Sequence, residues 1–197
     1  MWHHHTSEHI NFVFGGERSL YWRLSARDNL AYFADLYKIP SKDQKELIEK
    51  LIAQVGLSEF IDKKVETFSK GMKQRLQIAR ALLNNPKVIF LDEPSIGLDP
   101  VGAKELRELI KKLSKEGVTI LLTTHYMPEA EELCDRIAII KKGKLLAIDD
   151  VVGLQNLVSN ERKEEIKAKK EREQEEKNKK NLEITLEDIY IELLGDA

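Results

Sequence analysis

Two acids stand side by side at the end of an apolar run. Asp92 and Glu93 close the stretch Val88 to Leu91, and Pro94-Ser95-Ile96-Gly97-Leu98-Asp99 follows them. A strand that ends in adjacent carboxylates is suited to hold a cation and activate a water. Upstream, Ser69-Lys70-Gly71-Met72 opens a run of helical spacing that reaches about Leu83. A helix starting on Ser and Gly offers free backbone N–H groups to an anion. Downstream, His125 closes a second apolar run, Val118 to Thr124. The carboxyl end of a sheet strand is where α/β proteins bind their ligands. Together the three features point to phosphate chemistry on ATP. Each also has a plainer reading: a solvated acid pair, a capped core helix, a satisfied polar histidine.

A gap accompanies them. No Gly-x-x-x-x-Gly-Lys-Ser/Thr run occurs in the sequence, although such a site normally uses one to cradle phosphates. The Gly-Lys pair present is Gly143-Lys144; Leu145 follows it, and Ala138 stands where the first glycine belongs.

With these residues in view, Phe68 to Pro100 resembles the signature motif, Walker B strand and D-loop of an ABC-type ATPase. The resemblance extends from about Ile10 to Leu146 and resumes weakly near the C-terminus. It implies an α/β fold of the P-loop NTPase kind: a mostly parallel sheet with an inserted helical subdomain, here N-terminally incomplete. It implies ATP and Mg²⁺ as the bound species. By resemblance, Asp92 holds Mg²⁺ through water, Glu93 orients and deprotonates the attacking water, and His125 contacts the γ-phosphate. Ser69, Lys70, Gly71 and Met72 stand as the signature, which in this family closes on ATP held by a partner subunit. Lys70 replaces the commoner second glycine and Met72 the commoner glutamine. Ser95, Gly97 and Asp99 stand in the D-loop. Gly16 falls where the Q-loop glutamine is usual, and glycine cannot coordinate Mg²⁺. Either a neighbour such as Glu17 substitutes or that contact is lost.

The elements that position these residues follow from spacing. Ile10 to Phe14 reads as a short strand ended by Gly15-Gly16. Ser25 to Tyr37 reads as a helix, with Leu30, Phe33, Ala34 and Tyr37 on one face. Ser41-Lys42-Asp43-Gln44 fits a capping box for the next helix, whose stripe is Leu47, Ile48, Leu51, Ile52 and Val55. Val88 to Leu91 has no polar face, as expected of a parallel strand covered on both sides. Val101 to Glu116 is a helix with Leu106, Leu109, Ile110 and Leu113 inward, capped by Gly117. Met127 to Cys134 is a short helix on which Cys134 faces inward as a packing residue. Arg136 to Ile140 and Lys144 to Ile148 form a hairpin.

The expected organisation is therefore a disordered terminus over 1–9, an ATPase domain over 10–158 with a helical subdomain at 24–83, a charged linker or solvated helix over 159–181, and a docking helix over 182–197. The absent segment would supply a strand and helix to the sheet. Losing about five buried apolar side chains removes on the order of 10 kcal/mol, which rivals the ~5–15 kcal/mol stability of a domain.

Composition excludes some classes. The chain has 197 residues, 34% of them charged, with a net charge of -2. Such balance argues against a mainly electrostatic nucleic-acid binder. One cysteine excludes an internal disulfide and suits a reducing compartment. No run approaches the ~18 apolar residues of a membrane span. His3-His4-His5 is a weak metal site for want of a supporting shell.

The leading expectation is an ATP-binding subunit of an ABC transporter at the cytoplasmic face of the membrane. Its partners would be a transmembrane permease and a second ATP-binding subunit. Two alternatives stand beside it. One is a soluble ABC protein of translation or DNA maintenance, disfavoured by a charged run without heptad apolar positions. The other is a non-catalytic remnant or regulatory module, favoured by the missing phosphate loop.

Overall fold

The computed structural model describes residues 9–15, 20–157 and 171. The expectations for the opening residues, for Gly16 and Glu17, for almost all of the charged run and for the 182–197 helix lie outside them. The chain divides into two units, 1–127 and 128–197.

In the first unit, three short apolar segments form a parallel sheet in the order β1 (Ile10–Phe14), β2 (Val88–Asp92), β3 (Thr119–Thr123). The register pairs Phe12 with Phe90 and Phe90 with Leu121, and Phe14 with Asp92 and Asp92 with Thr123. Between β1 and β2 the chain runs through α1 (Ala26–Leu36), α2 (Ser41–Gln54) and α3 (Lys70–Leu82); α4 (Pro100–Lys115) joins β2 to β3.

The helices follow their apolar stripes. α1 buries Leu30 and Ala34 and starts at Ser25, whose Oγ accepts from the Asp28 N–H at 3.0 Å. α2 buries Ile48, Leu51 and Ile52 and gives way at Gly56, where φ is +69°. The expected capping box at Ser41 does not form. The helix is entered from Pro40 with no side-chain cap, and Gln44 instead donates to Asp35 Oδ1 at 2.7 Å and to the Ile39 carbonyl at 2.9 Å. The α1–α2 turn outcompetes the box for that amide. α4 turns Leu106, Leu109, Ile110 and Leu113 inward as expected, with Gly117 at φ +93° beyond its end. α3 is buried more completely than an amphipathic helix requires: Gln74 and Gln77 are covered along with Leu76, Ile78 and Ala79. It lies against β1, and Arg80 donates from it to the Phe12 carbonyl at 3.3 Å.

Among the described residues the sheet is covered on one face only. Asn11, Val13, Ile89 and Leu91 are buried, and Asn11 is satisfied by the Ala81 carbonyl and Asn84. On the other face Phe12 is 49% exposed, Phe14 53% and Leu121 54%. The expectation that β2 is covered on both sides therefore fails within the described residues: a continuous apolar run fixes that both faces are apolar, not that both have partners.

From Pro128 the chain continues through α5 (Met127–Leu133) into an antiparallel hairpin of β4 (Ile137–Lys141) and β5 (Lys144–Asp149), then α6 (Val151–Asn156). Lys142 and Gly143 both have positive φ, the requirement of a two-residue I′ turn, so the hairpin is tighter than the three-residue connection expected. Cys134 lies just past α5 and is partly accessible, where an inward-facing helical position was expected.

Candidate active site

Asp92 is the last residue of β2 and belongs to the open face of the sheet. Its neighbour across the register is Thr123, whose hydroxyl donates to Asp92 Oδ1 at 2.5 Å. Glu93 then leaves the strand with φ +46°, a conformation rare for any residue with a side chain. The turn is held from β3: the Glu93 N–H donates to the Thr123 carbonyl at 3.0 Å and also approaches its Oγ1 at 3.3 Å. Glu93 Oε2 comes within 2.8 Å of His125 Nδ1. The acid pair is thus split by a single backbone rotation, one carboxylate on Thr123, the other on His125.

The loop that follows is closed by two short turns, Ile96 N–H to the Glu93 carbonyl and Leu98 N–H to the Ser95 carbonyl, each 3.2 Å. Gly97 has φ +71° within it. Gly15, just past β1, packs under the acids from the other side. A Cβ there would stand 2.9 Å from the Asp92 carbonyl oxygen and 3.0 Å from that of Glu93, so only glycine fits.

A second cluster forms where two helices begin. Ser69 Oγ caps α3 by accepting from the Met72 N–H at 3.2 Å, and Asp99 Oδ1 caps α4 by accepting from the Gly102 N–H at 2.8 Å. Gly71 faces Gly102, with 3.6 Å from a Cβ on Gly71 to the Gly102 Cα. The Lys70 ammonium rests beside Gly97, 3.2 Å from where a Cβ would project. Of the residues expected to act, the structure brings Asp92, Glu93 and His125 into one group at the strand ends. Ser69, Lys70, Gly71 and Met72 share a second with Gly97 and Asp99; Ser95 lies in the connecting loop. Gly16 lies outside the described residues.

Chemically, a carboxylate in contact with an imidazole can orient the ring and exchange a proton with a group between them. His125 is 74% exposed and Glu93 33%, so a solute can reach both. Asp92 with the Thr123 hydroxyl is a hard-oxygen donor set. It matches Mg²⁺, which keeps several waters and takes few protein ligands. Two residues were not singled out from the sequence. Thr123 reads there as an ordinary strand residue before His125. Gly15 reads as a strand terminator, although its doubling with Gly16 is a signal of close backbone approach.

Comparison with known proteins points to one family. A family model described as ABC transporter matches residues 1–96. The ABC transporter ATP-binding protein NatA of Bacillus subtilis (strain 168) is 38% identical over 159 residues, covering 81% of this chain and 63% of NatA. The linearmycin resistance ATP-binding protein LnrL of the same organism is 40% identical over 132 residues, covering 67% of this chain and 42% of LnrL. Among solved structures, cbiO1 from Clostridium perfringens, part of the ABC transporter complex cbiONQ, superposes with a TM-score of 0.70 at 29% identity, covering 76% of this chain and 60% of that one. The chain thus spans between about two fifths and three fifths of the length of these relatives. With the parallel sheet, the acid-ended strand and the two helix starts, the matches identify this chain as a member of the ABC transporter ATP-binding family.

Proposed function

We propose that this chain acts as an ATP-binding subunit of an ABC transporter, coupling ATP hydrolysis to transport through a membrane-embedded permease from the cytoplasmic face. The observation that carries this is the 2.8 Å contact of Glu93 with His125 beside Asp92, at the carboxyl ends of parallel strands. In this reading Glu93 orients and deprotonates the attacking water, and His125 touches the terminal phosphate and holds the Glu93 carboxylate in place. Asp92, kept in one rotamer by Thr123, would hold Mg²⁺ through water. That ion, when bound, neutralises charge developing on the phosphates. The exposed aromatic residues just before and within the helical insert, Tyr21, Trp22 and Tyr32, support a role for this region as the face presented to the permease. Among the described residues no helix is long and apolar enough to cross a membrane, so the permease would be a separate polypeptide or segment.

The phosphates need a grip that this sequence does not contain. Backbone N–H groups and a lysine normally neutralise the β- and γ-phosphates. We therefore expect the purified chain to hydrolyse ATP negligibly; Glu93-dependent turnover by the chain alone would overturn this. Ser69 and Gly71 would serve the site of a second ATP-binding subunit, the same or different, that brings its own phosphate loop. In a mixture with such a subunit, Ser69→Ala should lower ATPase activity by about tenfold or more, the scale on which anion-stabilising donors act. If Glu93→Gln lowered it and Ser69→Ala did not, the composite site would be wrong.

A further inference from the structure

Arg80 is a half-buried cation with no part in the acid site. It reaches from α3 to both α1 and β1. Its Nη2 donates to the Phe12 carbonyl at 3.3 Å, and its guanidinium carbon lies 4.9 Å from the centre of the Phe33 ring. Among the described residues no carboxylate pairs with it, and its buried Nε has no hydrogen-bond partner. Burial pushes its pKa down, with a smaller opposing contribution from Tyr37. A cation drawn out of water without a counter-charge is costly. Overall stability therefore does not account for an arginine here.

Its two contacts lead in opposite directions. On one side Phe33 meets Tyr32 edge-on at 5.3 Å and Tyr21 at 6.1 Å, and both tyrosines stand nearly half exposed on the aromatic surface of the insert. On the other side Phe12 lies in β1, three residues before Gly15, whose backbone fits so closely against the Asp92 and Glu93 carbonyls that a Cβ has no room. β1 and β2 keep their register as far as Phe14 and Asp92. A displacement of β1 therefore reaches the Glu93 turn. Arginine suits a link of this kind, because its planar guanidinium can lie on a ring and donate to a carbonyl at once; the point charge of a lysine cannot do both. Packed side chains joined to a rigid strand are the kind of contiguous network that carries coupling between sites.

We propose that Arg80 is a positioning residue that couples the exposed aromatic surface of the helical insert to the acid site, by fixing Phe33 against the main chain of β1. Its use in transport rests on that surface being the permease side. The test is two-dimensional NMR of the full chain at one pH, reading the Glu93 amide and the His125 ring. Tyr32→Ala should move both signals by more than a linewidth in the parent chain. In Arg80→Met and Arg80→Lys backgrounds the same Tyr32→Ala change should leave them in place. Arg80→Met alone should move the signals and leave the urea midpoint unchanged. Leu109→Ala, in the core of α4, should do the reverse. The proposal is overturned if Tyr32→Ala leaves the parent signals unmoved, or moves them equally with Met at position 80. It is also overturned if Arg80→Lys keeps the full response, which would assign the effect to charge alone. A lowered urea midpoint in Arg80→Met with unmoved signals would make Arg80 a strut and overturn it too. Where Arg80→Met does not fold, Arg80→Lys carries the same comparison. These signals need neither nucleotide nor permease, so their failure removes the coupling and leaves the transporter reading to its own ATPase test.

Discussion

The two faces of the β1–β3 sheet are both rich in apolar side chains and meet opposite fates. On one, Val13, Ile89 and Leu91 are at most 1% exposed beneath the helices. On the other, Phe12 and Phe90 stack with ring centroids 4.6 Å apart, while Phe12, Phe14 and Leu121 stand about half in water. A parallel sheet ordinarily has both faces covered. The difference teaches where stability and chemistry reside in this chain. The covered face holds the fold together; the open face ends in Asp92 and Thr123, where a solute can approach.

This contrast predicts a large asymmetry in substitution cost. Leu91→Ala should destabilise by roughly 2–5 kcal/mol, the range for emptying a packed leucine site. Phe12→Ala, one strand over and facing the other way, should cost about 1 kcal/mol or less, because half its surface is already hydrated. Urea unfolding of both variants checks the pair. Equal losses would mean the open face is covered in solution, by self-association or by residues outside those described, and the contrast would dissolve.

How far the sequence predicts this arrangement depends on the range of the interactions involved. Strands β1, β2 and β3 and helices α1, α3 and α4 follow from local periodicity and caps, and Ser69 and Gly117 mark boundaries that the structure keeps. Asp92, Glu93 and His125 are also legible, as strand-end residues of the right chemistry. What is not legible depends on long-range approach. The Thr123 hydroxyl serves Asp92 and Glu93 from 31 and 30 residues away. The left-handed turn at Glu93 has no glycine to announce it. The failed capping box at Ser41 shows the same limit from the other side: a correct local pattern lost to a contact with Asp35 on another helix.

Gly15 sharpens the comparison at the point where the faces meet the acids. Gly15→Ala would drive a methyl group to 2.9 Å from a backbone oxygen that β2 holds in register. Backbone cannot yield as a flexible side chain can, so the strand end must shift. The expected cost is about 1–3 kcal/mol, the range for overpacking a fitted site. The same shift should displace the Glu93 turn, so proton spectra should show perturbed Glu93 and His125 signals at neutral pH. A variant that lost stability with those signals unmoved would place the strain elsewhere.

The smallest effect lies at the exposed edge of the helical insert. Arg27 Nε donates to Asp62 Oδ1 at 2.8 Å, with Glu49 at 3.4 Å from the same guanidinium. The hydrogen bond from Arg27 holds the Asp62 carboxyl below its ordinary value, with a smaller opposing contribution from burial. A depressed carboxylate stabilises the folded state above its unfolded pKa and ceases to do so as pH falls through the folded one. Asp62→Asn should therefore lower the melting temperature slightly at pH 7, and the gap should close below about pH 4, where free aspartate protonates. Asp62 is largely solvated and Arg27 partly so, and added salt should also shrink the gap. A gap unchanged by acid and by salt would assign the residue a packing role, placing this rim with the covered side of the molecule.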